Sequence, residues 1–205
     1  APLPSEYYGR YNEGLQTPSG LFEFECQTLK RFDENDEDRM PICMYHENWE
    51  GVEAKDIYEK YPLQLISPHA KYSFHTMGDG KDSNINDISE HRRLIDGFYY
   101  WIFRMNPKDA QDRGLKQDDI VEVYNDRGNV LCALDITERV PQGTVHSYEA
   151  CSDYIPLGEP GGDGVVEKNG CINNLTISRF LVKHAHGMAV NSCLVEVRKW
   201  EGETK

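Results

Sequence analysis

MNPKDAQDRGLKQDDIVEVYNDRG, residues 105–128, carries a helix, its stop signal, a strand and a turn in close succession. Asn106 is a favourable N-cap and Pro107 suits a first helical position, so a short helix is expected to run through Ala110 to Arg113. Gly114 then supplies a left-handed terminator, with Leu115 packing just after it. Asp119 to Tyr124 alternates polar and apolar residues, the two-residue period of a strand with one buried face. Asn125-Asp126-Arg127-Gly128-Asn129 is turn chemistry with the glycine that a tight hairpin needs, and Val130 to Ile136 is the returning strand.

Working outward, Phe98 to Met105 is aromatic and β-favouring, and Tyr61 to Pro68 reads as a strand that stops at a proline. Thr17-Pro18-Ser19-Gly20 is a turn, and the alternation of Leu21 to Cys26 predicts a strand after it. Pro141-Gln142-Gly143-Thr144 leads into Val145 to Tyr148, and Leu194 to Trp200 is a last alternating strand. Residues 75–97 are polar and too long for an ordinary connection, which predicts a functional loop. Residues 156–170 form a second loop, rich in glycine and proline. Tyr7, Tyr8, Tyr11 and two prolines without a period suggest an extended arm over residues 1–16, leaving 17–205 as one domain. Many short strands with one or two short helices predict a mainly β fold closed into a barrel, with a sandwich left open by pattern alone.

Thirty-five acidic against 22 basic residues give a formal charge of -13, which repels nucleic-acid phosphates and anionic lipid, so neither partner is expected. Mean hydropathy is -0.67, and no apolar stretch approaches the roughly 18 residues needed to span a bilayer. The six cysteines include no C-x-x-C pair, so most read as buried thiols in a reducing cytoplasm. The chain starts at Ala1 rather than methionine, as an excised domain would.

Residues 105–128 resemble the NP-x-D-A-x-x-x-G-(I/L)-x-x-G-D-x-V-x-V-x-N-x-R-G run of the C-terminal molybdopterin-dinucleotide-binding domain in the dimethyl-sulfoxide-reductase family. Asp118 stands where that pattern has glycine. Three further pieces follow the family's order: Thr17 to Phe24 resembles its TPSGKIEF entry strand, Ser67 to Thr76 its stretch ending in RxHS, and Gly170 to Thr176 its G-x-x-N-x-L-T element. The resemblance implies a double-psi β-barrel that binds bis(molybdopterin guanine dinucleotide) carrying molybdenum or tungsten. It also implies, as partners, the N-terminal domains of a longer parent chain and an iron-sulfur small subunit. The loop at residues 78–97, with His91-Arg92 and Asp96 to Trp101, looks most like the branch of transhydroxylases and catechol dehydroxylases that act on phenolic rings.

Placed by the resemblance, His75 and Thr76 are candidates to donate to pterin or phosphate oxygens. Asn173 and Asn174 suit a pterin or guanine edge that mixes donors and acceptors. Ser67, His69, Tyr148 and Glu149 are further candidates for the same wall. No catalytic residue is assigned, because the family's metal ligand and its substrate acid and base reside in earlier domains, and the chain alone is expected to be inactive and metal-free. His184 and His186 share a strand face but lack a third ligand, and Asp79, Asp82, Asp87 and Asp96 lack the spacing of a calcium loop. The alternatives are a free-standing double-psi barrel binding a protein or small ligand, and the same domain of another molybdopterin oxidoreductase.

Overall fold

The computed structural model describes residues 15–204 apart from 34, 38, 76–83, 150, 152, 183, 184 and 190, and leaves aside the side chains of 181, 182, 185 and 186. Most of the expected arm, Thr76, His184 and the side chain of His186 therefore lie outside the described residues. Contacts divide the chain into two compact units, one within Ala1–His46 and Phe180–Gly187, the other within Glu47–Arg179 and Met188–Lys205.

In the smaller unit the expected strand over Leu21 to Cys26 does not form. Among the described residues only Glu25 is bridged, to Ile42, and helix α1 (Gln27–Phe32) follows at once. Leu21, Phe22 and Phe24 are exposed. Alternation sets two faces, but a strand also needs a ladder partner, and here local bonds take the polar groups first. The Thr17 hydroxyl donates to the Leu21 carbonyl at 2.6 Å, and the Ser19 amide donates to the Glu23 carboxylate at 2.9 Å.

The larger unit is a closed six-stranded barrel. Its strands are β1 (Leu63–Ile66), β3 (Phe98–Met105), β4 (Ile120–Asn125), β5 (Gly128–Ile136), β6 (Thr144–Ser147) and β11 (Leu194–Lys199). Pairing runs β1–β6–β3–β5–β4–β11 and back to β1. Two pairs, β1 with β6 and β3 with β5, are parallel, and the rest are antiparallel. This is the double-psi arrangement. β2 (Arg92–Ile95) extends β3, β7 (Pro156–Leu157) and β8 (Val166–Glu167) extend β5, and β9 (Phe180–Val182) pairs with β10 (Ala185–Met188) in a separate two-stranded sheet. Helix α2 (Lys55–Lys60) precedes β1.

The two-residue period fills the barrel. Leu63 and Leu65, Phe103 and Met105, Val121 and Val123, Val130, Cys132 and Leu134, Val145, and Val195 and Val197 form one buried cluster. Cys132 and Cys193 are buried, and the desolvation pushes both thiols up, Cys193 to about 12, so neither is a reactive thiolate. All six cysteines are free.

Residues 105–128 fold largely as expected. Asn106 caps helix α3 (Pro107–Asp112), its side chain accepting from the Lys108 amide at 3.0 Å, and Gly114 follows at φ +66. Asp118, at the family's glycine position, holds φ +63 itself, so the turn survives at the small cost of a left-handed aspartate. At the hairpin, Asn125 pairs with Gly128 across a two-residue turn, but none of these residues has positive φ. Gly128 is thus not needed for backbone freedom. It lies beside the Asn174 carbonyl instead.

Candidate cofactor site

Strand directions bring the candidate residues to one end of the barrel. β1 and β6 run parallel, and β4 runs with them because both β1 and β4 are antiparallel to β11. The segments leaving β1 (Ser67 to His75), β6 (Tyr148 and Glu149) and β4 (the turn at 125–128) therefore emerge together.

On the β4–β5 turn rests a 3₁₀ helix, Ile172–Leu175. Ile172 and Leu175 are fully buried, which leaves Asn173 and Asn174 facing out. The Leu175 carbonyl, unpaired at the end of so short a helix, is met by three donors: Asn125 Nδ2 at 2.9 Å, Arg127 Nε at 2.8 Å and Cys193 Sγ at 3.0 Å. Arg127 is held in turn by the buried Glu50 through a forked pair at 2.6 and 2.8 Å, and Glu50 also accepts the Leu194 amide at 3.0 Å. The approach to the helix is set by Glu167, whose buried carboxylate accepts the amides of Ile155 (3.0 Å), Asn169 (2.8 Å) and Cys171 (2.7 Å). Burial raises its pKa against those three bonds and a fourth from the Gly170 amide.

Four candidates share one patch. The Glu149 amide donates to the Pro68 carbonyl at 3.2 Å, tying the two strand exits together. Glu149 Oε1 is hydrogen-bonded to His69 Nδ1 and lies 3.6 Å from His75 Nδ1, and the two imidazoles meet edge to face at 4.6 Å. His75 is held at φ +52. Asn173 Nδ2 reaches the Glu149 carbonyl at 3.5 Å. Asn174 faces a neighbouring open recess of about 380 Å³, lined also by Arg127, Asn129, Tyr154 and Glu167. Ser67 and Tyr148 are buried rather than on this surface: the Ser67 hydroxyl has no partner among the described residues, and the Tyr148 ring packs 6.0 Å from Trp101.

Asn125, Arg127, Glu50 and Glu167 do not contact the patch as donors, yet they hold it up, and sequence reading did not single them out. Asn125 and Arg127 lie in the N-x-R-G run, where only the turn was read. Their role is legible once that run is known to bear on a second motif.

Two histidines near Tyr148, His91 buried and His146 half-buried, give the site a pH dependence. His146 accepts from Arg104 Nη1 at 3.1 Å and His91 is sealed against Trp101 at 4.4 Å. Burial, followed by the charge of Arg104 or Arg92, lowers each from 6.5 to about 4. Both therefore fold neutral, while the unfolded chain takes up their protons as pH falls through 6.5. Stability is lost between about pH 6.5 and 4, by an amount on the order of 3 kcal/mol per histidine. Urea midpoints at pH 7 and 4.5 should fall less in His146→Gln, which keeps an acceptor for Arg104, than in the unaltered chain. An equal fall would remove His146 from this account.

The chain matches the pyrogallol hydroxytransferase large subunit of Pelobacter acidigallici at 47% identity over 194 residues, 93% of this chain and 22% of that protein. It matches a trimethylamine-N-oxide reductase of Haemophilus influenzae at 32% over 203 residues, 95% of this chain and 23% of that protein. A dimethyl sulfoxide/trimethylamine N-oxide reductase of Cereibacter sphaeroides matches at 29%, over 92% of this chain and 21% of that one. The chain thus spans less than a quarter of the length of these relatives. The structure of acetylene hydratase from Pelobacter acetylenicus shares the fold, with a TM-score of 0.59 at 17% identity, over 98% of this chain and 26% of that chain. The cofactor that these matches imply is molybdopterin guanine dinucleotide with molybdenum. A model of the molydopterin dinucleotide binding domain matches residues 63–194, from the first residue of β1 to the first of β11, and the chain belongs to that family, within the dimethyl-sulfoxide-reductase enzymes.

Proposed function

We propose that this chain buries and orients a bis(molybdopterin guanine dinucleotide) cofactor through the patch of His69, His75, Glu149 and Asn173, with Asn174 beside it, as the C-terminal domain of an enzyme that moves or removes phenolic hydroxyl groups. The convergence of these side chains at one end of the barrel carries the site. A pterin edge alternates donors and acceptors, and this patch offers both: carboxamides that do either, imidazoles that do either, and a carboxylate that accepts. The fit is one of chemistry. When bound, the cofactor supplies the metal and its redox or group-transfer chemistry, while these residues fix its position and exclude water. Thr76 is kept as a further contact. Buried Ser67 and Tyr148 would act from beneath.

The phenolic substrate rests on 47% identity to the pyrogallol hydroxytransferase subunit against 32% to an oxide reductase, together with the loop at residues 78–97. N-terminal domains of a longer chain, an iron-sulfur small subunit and a reducing, anaerobic cytoplasm belong to the same reading. Tungsten in place of molybdenum is decided by elemental analysis of the full-length protein.

The full-length protein is expected to turn over pyrogallol, phloroglucinol or simple catechols, and not trimethylamine N-oxide. Reduction of the N-oxide with no phenol turnover would overturn the substrate class. In the same protein, His75→Asn or Asn173→Ala should each weaken pterin retention about tenfold, the worth of one hydrogen bond to a buried ligand. Full retention in both would remove the patch from the cofactor's contact surface.

A further inference from the structure

We propose that His69, His75 and Glu149 form a site for one divalent transition-metal ion of the zinc, cobalt or nickel type in the chain free of its pterin. Their ligand atoms, two imidazole nitrogens and a carboxylate oxygen, all lie within 4.8 Å of one another. Around a tetrahedral zinc with bonds near 2.0–2.1 Å, ligand atoms stand about 3.3 Å apart. His75 Nδ1 and Glu149 Oε1 are at 3.6 Å, and His69 Nδ1 is already hydrogen-bonded to the same oxygen. Shifts of at most about 1.5 Å between ligand atoms would seat all three round one ion.

The scaffold favours that closure. The strand exits carrying His69 and Glu149 are joined by the backbone bond from Glu149 to Pro68, while both imidazoles are more than half exposed and free to re-aim. An ion would replace the hydrogen bond between His69 and Glu149 with two bonds to itself. Two imidazoles select against calcium and magnesium, which take oxygen ligands. Three protein ligands on an open surface leave a fourth position for water or an incoming group, the ligand count of an open rather than a closed zinc site. The ligands are scattered along the chain, so no spacing signature marks them. The site shares residues with the cofactor patch, so ion and pterin exclude one another.

The chain, produced in cells unable to make molybdopterin, carrying no affinity tag and stripped with EDTA, is titrated with ZnCl₂ by calorimetry and with CoCl₂ by visible absorption. The expected result is one ion per chain, with cobalt giving the visible bands of a four- or five-coordinate centre. His69→Gln, His75→Asn and Glu149→Gln should each weaken binding at least tenfold. Asparagine is chosen at position 75 because it tolerates positive φ. His46→Gln, which alters an exposed histidine elsewhere, should change nothing. Far-ultraviolet circular dichroism verifies that each variant is folded. No binding by the unaltered chain, or loss of affinity in fewer than all three variants, overturns the site. Pterin retention in the full-length protein is scored separately, so a failed titration leaves the cofactor reading intact, and a failed retention experiment leaves the metal site intact.

Discussion

Arg127→Ala is expected to lower the unfolding free energy by about 3–5 kcal/mol, the cost of leaving one member of a buried ion pair without its partner. The direction of the cut matters. The Arg127 side chain is 30% exposed and the Glu50 side chain only 4%. Removing Glu50 leaves a guanidinium that water can partly reach, whereas removing Arg127 strands a carboxylate with one backbone amide, from Leu194, for company. Arg127→Ala should therefore cost more than Glu50→Ala, and the double variant should cost less than the sum of the two. Guanidinium unfolding of the four proteins measures this cycle. Arg127 also serves the Leu175 carbonyl, so its loss should loosen the turn that presents Asn173 and Asn174. In the full-length enzyme, pterin retention should fall along with stability. Additive effects in the cycle would mean that the pair contributes no coupling.

The barrel was legible because its physics is periodic. Alternation along β4, β5 and β11 reappears as the two-residue rhythm of the core, and the Asn106 cap and Gly114 stop bound α3 within a residue of their expected places. The strand expected over Leu21 to Cys26 failed for the complementary reason: period two assigns faces but does not supply a neighbour, and among the described residues only Ile42 bridges that segment. Gly128 shows a second limit. Its residue type suited a left-handed turn, but its φ is not positive and a Cβ there would meet the Asn174 carbonyl at an ordinary 3.7 Å, so nothing in the fold requires glycine at this place.

The site divides in the same way. The resemblance supplied the candidate residues, and His69, His75, Glu149 and Asn173 lie together in the fold. The groups that hold them were not legible, since Glu50 and Glu167 are acidic residues in an acidic chain and become distinctive only once buried. Burial also separates the two kinds of histidine. His69 and His75 meet solvent and a carboxylate, whereas His91, buried, and His146, half-buried, each lie beside an arginine. Nothing in the one-dimensional pattern distinguishes them.

Gly170→Ala is expected to destabilise the chain by about 2–5 kcal/mol, combining a left-handed backbone penalty of about 1–2 kcal/mol with about 1–3 kcal/mol of overpacking. Gly170 sits at φ +79, between β8 and the 3₁₀ helix, and its amide faces the Glu167 carboxylate. A Cβ there would stand 2.7 Å from Trp101 Cδ1 and 2.8 Å from Trp101 Cβ. Trp101 cannot give way, because it is fully buried in β3 with the Arg92 guanidinium 4.6 Å from its ring and His91 at 4.4 Å. Gly164→Ala separates the two contributions: Gly164 has nearly the same φ, +72, but nothing within 4 Å of its Cβ position. It should lose only the backbone penalty, leaving a difference of about 2 kcal/mol attributable to Trp101. Denaturant midpoints and the near-ultraviolet tryptophan signal measure that difference. Equal losses in the two variants would mean that the tryptophan yields freely. If instead the Gly170 variant is the weaker by the expected margin, the 3₁₀ helix is positioned by steric contact with the barrel wall as well as by the hydrogen bonds of Arg127 and Asn125, and its two asparagines are held from both ends.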